Sequence, residues 1–200
     1  MPTSELPRTP LGITPSQTVG PYLRLGLSWR NGEQAVPAGV FGSIVVGGVL
    51  YDGTGAVVPD GMVETWQADP DGRFDHPDDP RGRVARRPNW SLFGRCQTRP
   101  DGSWSISTLR PGPVPGPGGT LQAPHLALSV FARGMLNRVV TRLYLPEDAG
   151  VDGPGGHAAD PVLAAVPADR RHTLVAVAQD GGYRLDIRLQ GPDETVFFDL

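Results

Sequence analysis

Glycine and proline interrupt this chain so often that long helices have no room to form. The 200 residues include 27 glycines and 22 prolines, interleaved with short apolar runs and not gathered in one repetitive segment. Such punctuation is typical of turns that join many short strands. The sequence therefore predicts an all-β fold, a single β-sandwich with long loops and one or two short helices.

The composition excludes several classes of protein. A net charge of -3 gives no sign of a surface for nucleic acid or anionic membranes. Cys96 is the only cysteine, so an internal disulfide and a thiolate metal cluster are both impossible. The N-terminus has no apolar leader core, and no run of about 18 apolar residues follows. We therefore expect a soluble, cytoplasmic protein.

The first 38 residues differ in character from the remainder. Prolines at positions 2, 7, 10, 15, 21 and 37 break this stretch repeatedly. Such a segment cannot build a core, so we predict an extended N-terminal arm over 1–38 that packs on its own domain or on a partner. Residues 39–200 are predicted to form the β-sandwich domain.

Apolar alternation and turn residues place the individual elements. Strands are predicted over 44–51, 62–67, 127–132, 139–145, 183–189 and 195–198. Asp101-Gly102 lies between a run that ends at Thr98 and one that begins at Trp104, which predicts a β-hairpin. Short helical pieces are predicted over 161–168 and 170–175.

No arrangement of residues within the chain reveals an enzyme by itself. The four histidines form neither an H-x-H nor an H-x3-H pair, and a lone His125 at a strand start favours a structural role. Cys96 has no base nearby in the sequence. The acidic loop over 69–79 lacks the bidentate acid of a calcium loop, and the prolines within 111–119 remove the amide donors of a phosphate cradle.

Nine segments occur in the order found in the intradiol ring-cleaving dioxygenases. They are residues 14–22, 46–53, 63–74, 93–95, 109–112, 123–125, 131–134, 141–144 and 183–198. Along nearly its whole length the chain thus resembles this family, in particular the subunits of protocatechuate 3,4-dioxygenases. The resemblance implies cleavage of a catechol ring between its hydroxyls by Fe(III), which two tyrosinates and two histidines hold.

The chain departs from the family at the ligand positions themselves. Iron-binding members have a tyrosine after Arg-Pro-Gly-Pro, where this chain has Val114, and their H-x-H here ends in Ala127. No tyrosine occurs between positions 52 and 143, so of the usual ligands His125 alone remains. The resemblance therefore implies a subunit of the alpha type that binds no metal, while a ligand-complete beta subunit holds the Fe(III).

The resemblance also implies that this chain forms part of the pocket wall at the junction with its partner. The matching positions are Thr18, Gly20, Pro21 and Tyr22 in the arm, together with Arg133. Arg133 is expected to complement the carboxylate of an aromatic substrate, with a surface ion pair as the alternative. For Tyr22 the alternative is an aromatic packed within the arm. No catalytic residue is expected in this chain alone.

The implied reaction converts protocatechuate and O2 into 3-carboxy-cis,cis-muconate, in aromatic-compound catabolism through the beta-ketoadipate pathway. The isolated chain is expected to be inactive. One alternative is a metal-free β-sandwich that binds or scaffolds without a catalytic role. A homomeric intradiol enzyme acting on another catechol is a second alternative, against which the count of ligands argues.

Overall fold

The structure is a computed structural model that describes residues 20–79, 81 and 90–199. The strands of this part are β1 Ser43–Tyr51, β2 Met62–Trp66, β3 Phe93–Gln97, β4 Ser103–Leu109, β5 Val114–Pro115, β6 Leu121–Gln122, β7 His125–Phe131, β8 Val139–Tyr144, β9 Val177–Gln179, β10 Gly182–Arg184 and β11 Ile187–Arg188. The helices are α1 Pro21–Leu27 and α2 Pro161–Ala165, with 3-10 turns at Pro117–Gly119, Pro146–Gly150, His157–Ala159 and Arg171–Leu174. The predicted all-β class is confirmed. Among these helices, none has the length and apolarity needed to cross a membrane.

Two sheets form the two layers of a sandwich. In the first, β1 pairs with antiparallel β4 on one side and with parallel β10 and β11 on the other, and β9 extends the sheet beyond β10. The second is antiparallel throughout, in the order β3-β2-β7-β8. Strands β5 and β6 make a small separate ribbon. The strand β7 that carries His125 is therefore a central strand of the second sheet.

Alternate residues of the two sheets face each other and form the core. Val46 and Ile106 of the first sheet are fully buried, as are Val63 and Leu128 of the second, and all four belong to one cluster. This alternation follows from the two-residue period of a strand. The layers approach closely at Gly94, where an added Cβ would lie 2.5 Å from the Ile106 Cγ2 atom. A glycine is required there because any side chain would meet the opposite sheet.

The turn at Asp101-Gly102 joins two different sheets. The Gly102 amide donates to the Arg99 carbonyl at 2.8 Å, and the Arg99 amide donates to the Ser103 carbonyl at 2.9 Å, so the turn itself is present. However, β3 pairs with β2 while β4 pairs with β1. The predicted hairpin is therefore wrong. Cys96 and Ile106 on the two strands both point into the core, so the strands face each other and do not lie side by side.

The C-terminal part is less regular than its alternation predicts. The strand predicted over 183–189 is divided into β10 and β11, because an Asp186 carboxylate oxygen accepts the Val49 amide at 2.9 Å in place of a backbone carbonyl. The strand predicted over 195–198 is reduced to a single bridge between Phe198 and Val140. The two predicted helical pieces are present as α2 and the turn Arg171–Leu174.

The N-terminal segment is described from residue 20 onward. Residues 21–27 form helix α1 and not extended chain, and Pro21 suits its first position because that amide needs no partner. Further on, Ala35 and Val36 are fully buried, and Ala35 belongs to the main core. The end of the predicted arm thus packs on its own domain. Its division from the domain at residue 38 stays a prediction.

Candidate functional site

Two of the family's iron-ligand positions, Val114 and His125 in this chain, lie beside a surface cleft. Its volume is about 540 Å³, and its lining includes Pro113 and Pro124, the direct neighbours of Val114 and His125 in the sequence. Val114 is buried in β5 and offers only methyl groups. Of these two positions, His125 is therefore the one with a side chain able to bind a metal or a proton.

His125 is held as a neutral imidazole at the start of β7. Its Nδ1 atom lies 2.8 Å from the Ala123 carbonyl oxygen, so Nδ1 carries the proton in the neutral tautomer that this bond favours. Burial, and then the nearby Arg142 guanidinium, lower the pKa of His125 to about 4 from an ordinary 6.5. At neutral pH the ring is uncharged and serves as a structural hydrogen-bonding group.

Tyr144 lies directly across from His125 in the β7–β8 pairing. The two ring centroids are 5.6 Å apart. The Tyr144 hydroxyl accepts a bond from Arg142 at 3.2 Å and donates to an Asp160 oxygen at 3.3 Å. Burial raises the pKa of this phenol far above its ordinary value, so it stays protonated. It is not available as the tyrosinate that a ferric site uses.

Asp160 ties this cluster to the neighbouring loop and helix. Its fully buried carboxylate accepts the amides of Ala123, Val162 and Leu163, each at 2.8 Å. It is the N-cap of α2, and the loop before His125 is fastened to it through Ala123. Asp160 was not among the site residues predicted from the sequence, although an aspartate followed by proline and an apolar run is a helix-start signal.

His157 completes a group of aromatic rings that no sequence motif predicted. Its ring meets the edge of Tyr144 at a centroid distance of 5.6 Å. Its Nε2 atom is buried and has no hydrogen-bond partner within the part of the chain that the structure describes. The long sequence separation of His157 from His125 gave no spacing motif, so only the fold shows that both flank Tyr144.

This group does not fit a ferric ion. The Arg142 guanidinium, 3.2 Å from the Tyr144 hydroxyl, opposes a cation there, and the phenol itself is protonated. Over residues 20–79, 81 and 90–199, no three or more His, Cys, Asp or Glu side chains converge in a way that could hold a metal. The arrangement is that of a polar network built on the Tyr144–Asp160 hydrogen bond and not that of a metal site.

The predicted arm residues lie at the start of α1. Thr18 falls outside the described residues. Gly20 is the N-cap, with its carbonyl accepting the Leu23 amide at 3.1 Å, and Pro21 is the first helical residue. The Tyr22 side chain is 81% exposed, so the part of the chain that the structure describes does not enclose it.

Arg133 stands at the opposite end of β7 from His125. Its side chain is 69% exposed and its Nε atom lies 3.1 Å from an Asp60 carboxylate oxygen. The surface ion pair that the sequence analysis set as an alternative is thus present, and most of the guanidinium still faces solvent. Within the described residues no hydrogen bond or ion pair joins Arg133 to Gly20 or Tyr22. The predicted pocket role of these residues stays a prediction.

Comparison with known proteins places these features in a family. Residues 30–191 match the family described as Dioxygenase. The chain is 40% identical to the protocatechuate 3,4-dioxygenase alpha chain of Burkholderia cepacia, over 96% of this chain and all of the relative. Identity is 37% to the alpha chain of Pseudomonas putida, over the whole of both chains. It is 33% to the beta chain of Burkholderia cepacia, over 83% of this chain and 70% of that one.

A solved structure supports the fold independently. The intradiol ring-cleavage dioxygenase from Tetranychus urticae superimposes with a TM-score of 0.58 at 18% identity. The match covers 93% of this chain and 98% of that one. At this identity the likeness concerns the fold alone, and it agrees with the β-sandwich described above.

Proposed function

Because this chain belongs to the intradiol dioxygenase family, we propose that it is the alpha-type subunit of a protocatechuate 3,4-dioxygenase and that a ligand-complete beta-type partner holds the Fe(III). The pair would cleave protocatechuate with O2 to 3-carboxy-cis,cis-muconate. The observation that carries the proposal is that Val114 and Ala127 offer no donor atom at two ligand positions of the family, in a chain that alpha-chain relatives match over 96% or more of its length.

The state of the remaining donors supports this division of labour. His125 is neutral, but it is the sole imidazole at the family's ligand positions. The nearby Tyr144 keeps its proton and shares its oxygen with Arg142 and Asp160. Ferric iron prefers several hard anionic donors, and one imidazole beside a guanidinium does not supply them.

A partner of the beta type is supported by two relatives from one organism. Burkholderia cepacia has both an alpha chain and a beta chain of this enzyme, and the present chain is similar to both, with the higher identity to the alpha chain. We therefore propose that the partner resembles the beta chain and retains the two tyrosines and the H-x-H pair that this chain lacks.

This chain would contribute to the wall of the partner's active site. The proposed wall residues are Thr18, Gly20, Pro21, Tyr22 and Arg133. Exposure supports the last two, since an aromatic ring and a guanidinium left in solvent are both available to a second chain. The Arg133 guanidinium would form charge-assisted hydrogen bonds with the carboxylate of protocatechuate.

The division of labour is tested by measuring iron. We would express the chain alone and together with its beta-type partner, then determine bound iron per chain and ring-cleaving activity. The lone chain is expected to be iron-poor, colourless and inactive, and the complex to be red-brown and active. In the complex, His125→Gln is expected to leave the iron content unchanged, because the metal is bound elsewhere.

Two outcomes would contradict the proposal. One tightly held iron per lone chain, with matching activity, would place the metal here. Full activity of complexes that carry Tyr22→Ala and Arg133→Ala would favour the alternative, a scaffold without a part in the pocket. The proposal itself is supported if the complex contains stoichiometric iron and the Arg133→Ala variant has an altered KM.

A further inference from the structure

We propose that Asp60 is a positioning residue for Arg133, and that this pair favours catechols that carry a carboxylate over those that lack one. Asp60 would hold the Nε side of the guanidinium and leave the two Nη groups directed at the substrate. The inference rests on the function proposed above, in which Arg133 lines the partner's active site.

The register of the second sheet brings the two residues together. β2 and β7 are antiparallel, with Met62 opposite Phe131. Continuing this register two residues beyond each strand places Asp60 opposite Arg133, at the same end of the sheet. The observed separation of 3.1 Å between Nε and the carboxylate oxygen agrees with this placement. The pair is therefore fixed by strand pairing as well as by attraction between charges.

The Asp60 side of the pair is anchored to the rigid part of the sandwich. The next residue, Gly61, donates its amide to the Thr98 hydroxyl at 2.8 Å, and its carbonyl accepts the Thr98 amide at 2.9 Å. Thr98 is buried, and an added Cβ on Gly61 would lie 2.6 Å from a Leu50 methyl carbon. These contacts leave the backbone at Asp60 little freedom to move.

A tight turn presents the Arg133 side. The Met135 amide donates to the Ala132 carbonyl at 3.2 Å, which closes a four-residue turn with Arg133 at its second position. Gly134, at the third position, has a φ of 89°. A positive φ there is the mark of a type II turn, for which glycine is the favoured residue. The backbone on both sides of the ion pair is thus well defined.

The closest contact within the pair joins Nε to the Asp60 carboxylate at 3.1 Å. The Arg133 side chain is 69% exposed, so most of the guanidinium faces solvent. The two Nη donors form one of the forked edges that bind a carboxylate through two parallel bonds. Holding the arginine in advance reduces the rotamer entropy lost when the substrate binds. At this exposed site screening weakens the competing charge of Asp60, so positioning dominates.

Steady-state kinetics of the complex with the beta-type partner test the inference. With 3,4-dihydroxybenzoate, Asp60→Ala is expected to raise KM by about threefold while kcat stays within about twofold, since an exposed pair makes a modest contribution. With unsubstituted catechol, both constants are expected to stay unchanged. Asp60→Asn keeps an oxygen acceptor for Nε and is expected to restore most of the KM. Asp152→Ala, at an exposed loop position, is the matched control and is expected to change neither constant.

A double variant separates this inference from the proposed function. In an Arg133→Ala background, Asp60→Ala is expected to add nothing to KM, because its effect passes through the arginine. The inference is overturned if Asp60→Ala acts equally in both backgrounds, if it changes KM for catechol as much, or if it has no effect while Arg133→Ala raises KM. If Arg133→Ala itself leaves KM unaltered, the pocket role of this chain fails and the inference fails with it.

Discussion

The two ends of strand β7 differ in whether their polar side chains are enclosed by the fold or exposed to solvent. At the first end, Tyr144 and Asp160 are buried and hydrogen-bonded to each other, and the neighbouring His125 ring bonds the Ala123 carbonyl. At the other end, Arg133 pairs with the Asp60 carboxylate and remains largely in solvent. His125, at a position where iron-binding members of the family have a ligand, thus has a structural role. Arg133, at the far end of the same strand, is a cation available to another molecule.

The difference follows from the cost of burying polar groups. A buried polar atom without a partner costs about 1–3 kcal/mol, so the hydrogen bonds of Tyr144 and Asp160 stabilise the His125 end. An exposed guanidinium carries no such requirement, since water solvates it. Changes at the enclosed end should therefore affect stability, and changes at the open end should affect interaction with a partner or substrate.

The sharpest test of the enclosed end is Asp160→Ala. This change removes the acceptor for three backbone amides and for the Tyr144 hydroxyl, and leaves these groups buried without partners. We expect the free energy of unfolding to fall by about 3–4 kcal/mol. Urea unfolding at fixed protein concentration measures it. Asp152→Ala, an exposed carboxylate, serves as control with an expected change below about 0.5 kcal/mol. Equal losses of stability in the two variants would contradict the expected difference between a buried and an exposed carboxylate.

The pH dependence of stability gives a second test through His125. The folded chain binds a proton at this ring only near pH 4, whereas the unfolded chain does so near pH 6.5. Between these values the unfolded state holds more protons, so stability is complete above pH 6.5 and falls as the pH is lowered toward 4. For this partly buried ring we expect a contribution of about 2 kcal/mol. His125→Gln should flatten urea-derived stability over that range, and an unaltered slope would contradict a buried neutral imidazole.

A smaller change at the same end is Tyr144→Phe. The ring and its packing remain, but Arg142 loses an acceptor at 3.2 Å and Asp160 loses a donor at 3.3 Å. We expect the chain to lose about 1–2 kcal/mol of stability. Thermal unfolding compared with that of Tyr183→Phe, whose hydroxyl bonds Glu147 at the surface, would measure it. A larger loss of stability in the Tyr183 variant would show that burial of the hydroxyl does not determine its contribution to stability.

The smallest effect on stability is expected at the open end. Arg133→Ala removes an exposed ion pair, which contributes less than about 1 kcal/mol. We expect the urea midpoint of the chain to be almost unchanged, although KM of the complex should rise. A loss of stability comparable with that of Asp160→Ala would mean that Arg133 is itself structural.

Local pattern predicted the strands that lie in the middle of the fold. β1, β2, β7 and β8 appear where apolar alternation placed them, because one face of each lies against the core. Prediction from local pattern failed where one turn sequence is compatible with two different structures. The turn at Asp101-Gly102 serves a hairpin or a crossing between sheets equally well, and only the packing of Cys96 against the opposite layer decides. Helix α1 was missed because the prolines around Pro21 favoured extended chain.

The missing iron ligands were legible from the sequence, because Val114 and Ala127 contain no atom able to bind a metal and no fold can supply one. Tertiary structure alone determined the protonation and the partners of the polar side chains that remain. The proton on Tyr144 depends on burial and on Asp160 and Arg142, and the pairing of Asp60 with Arg133 depends on the register of β2 against β7. The physical reason is that the identity of a side chain fixes which bonds are possible, whereas distance and desolvation, which the fold creates, determine which of them form.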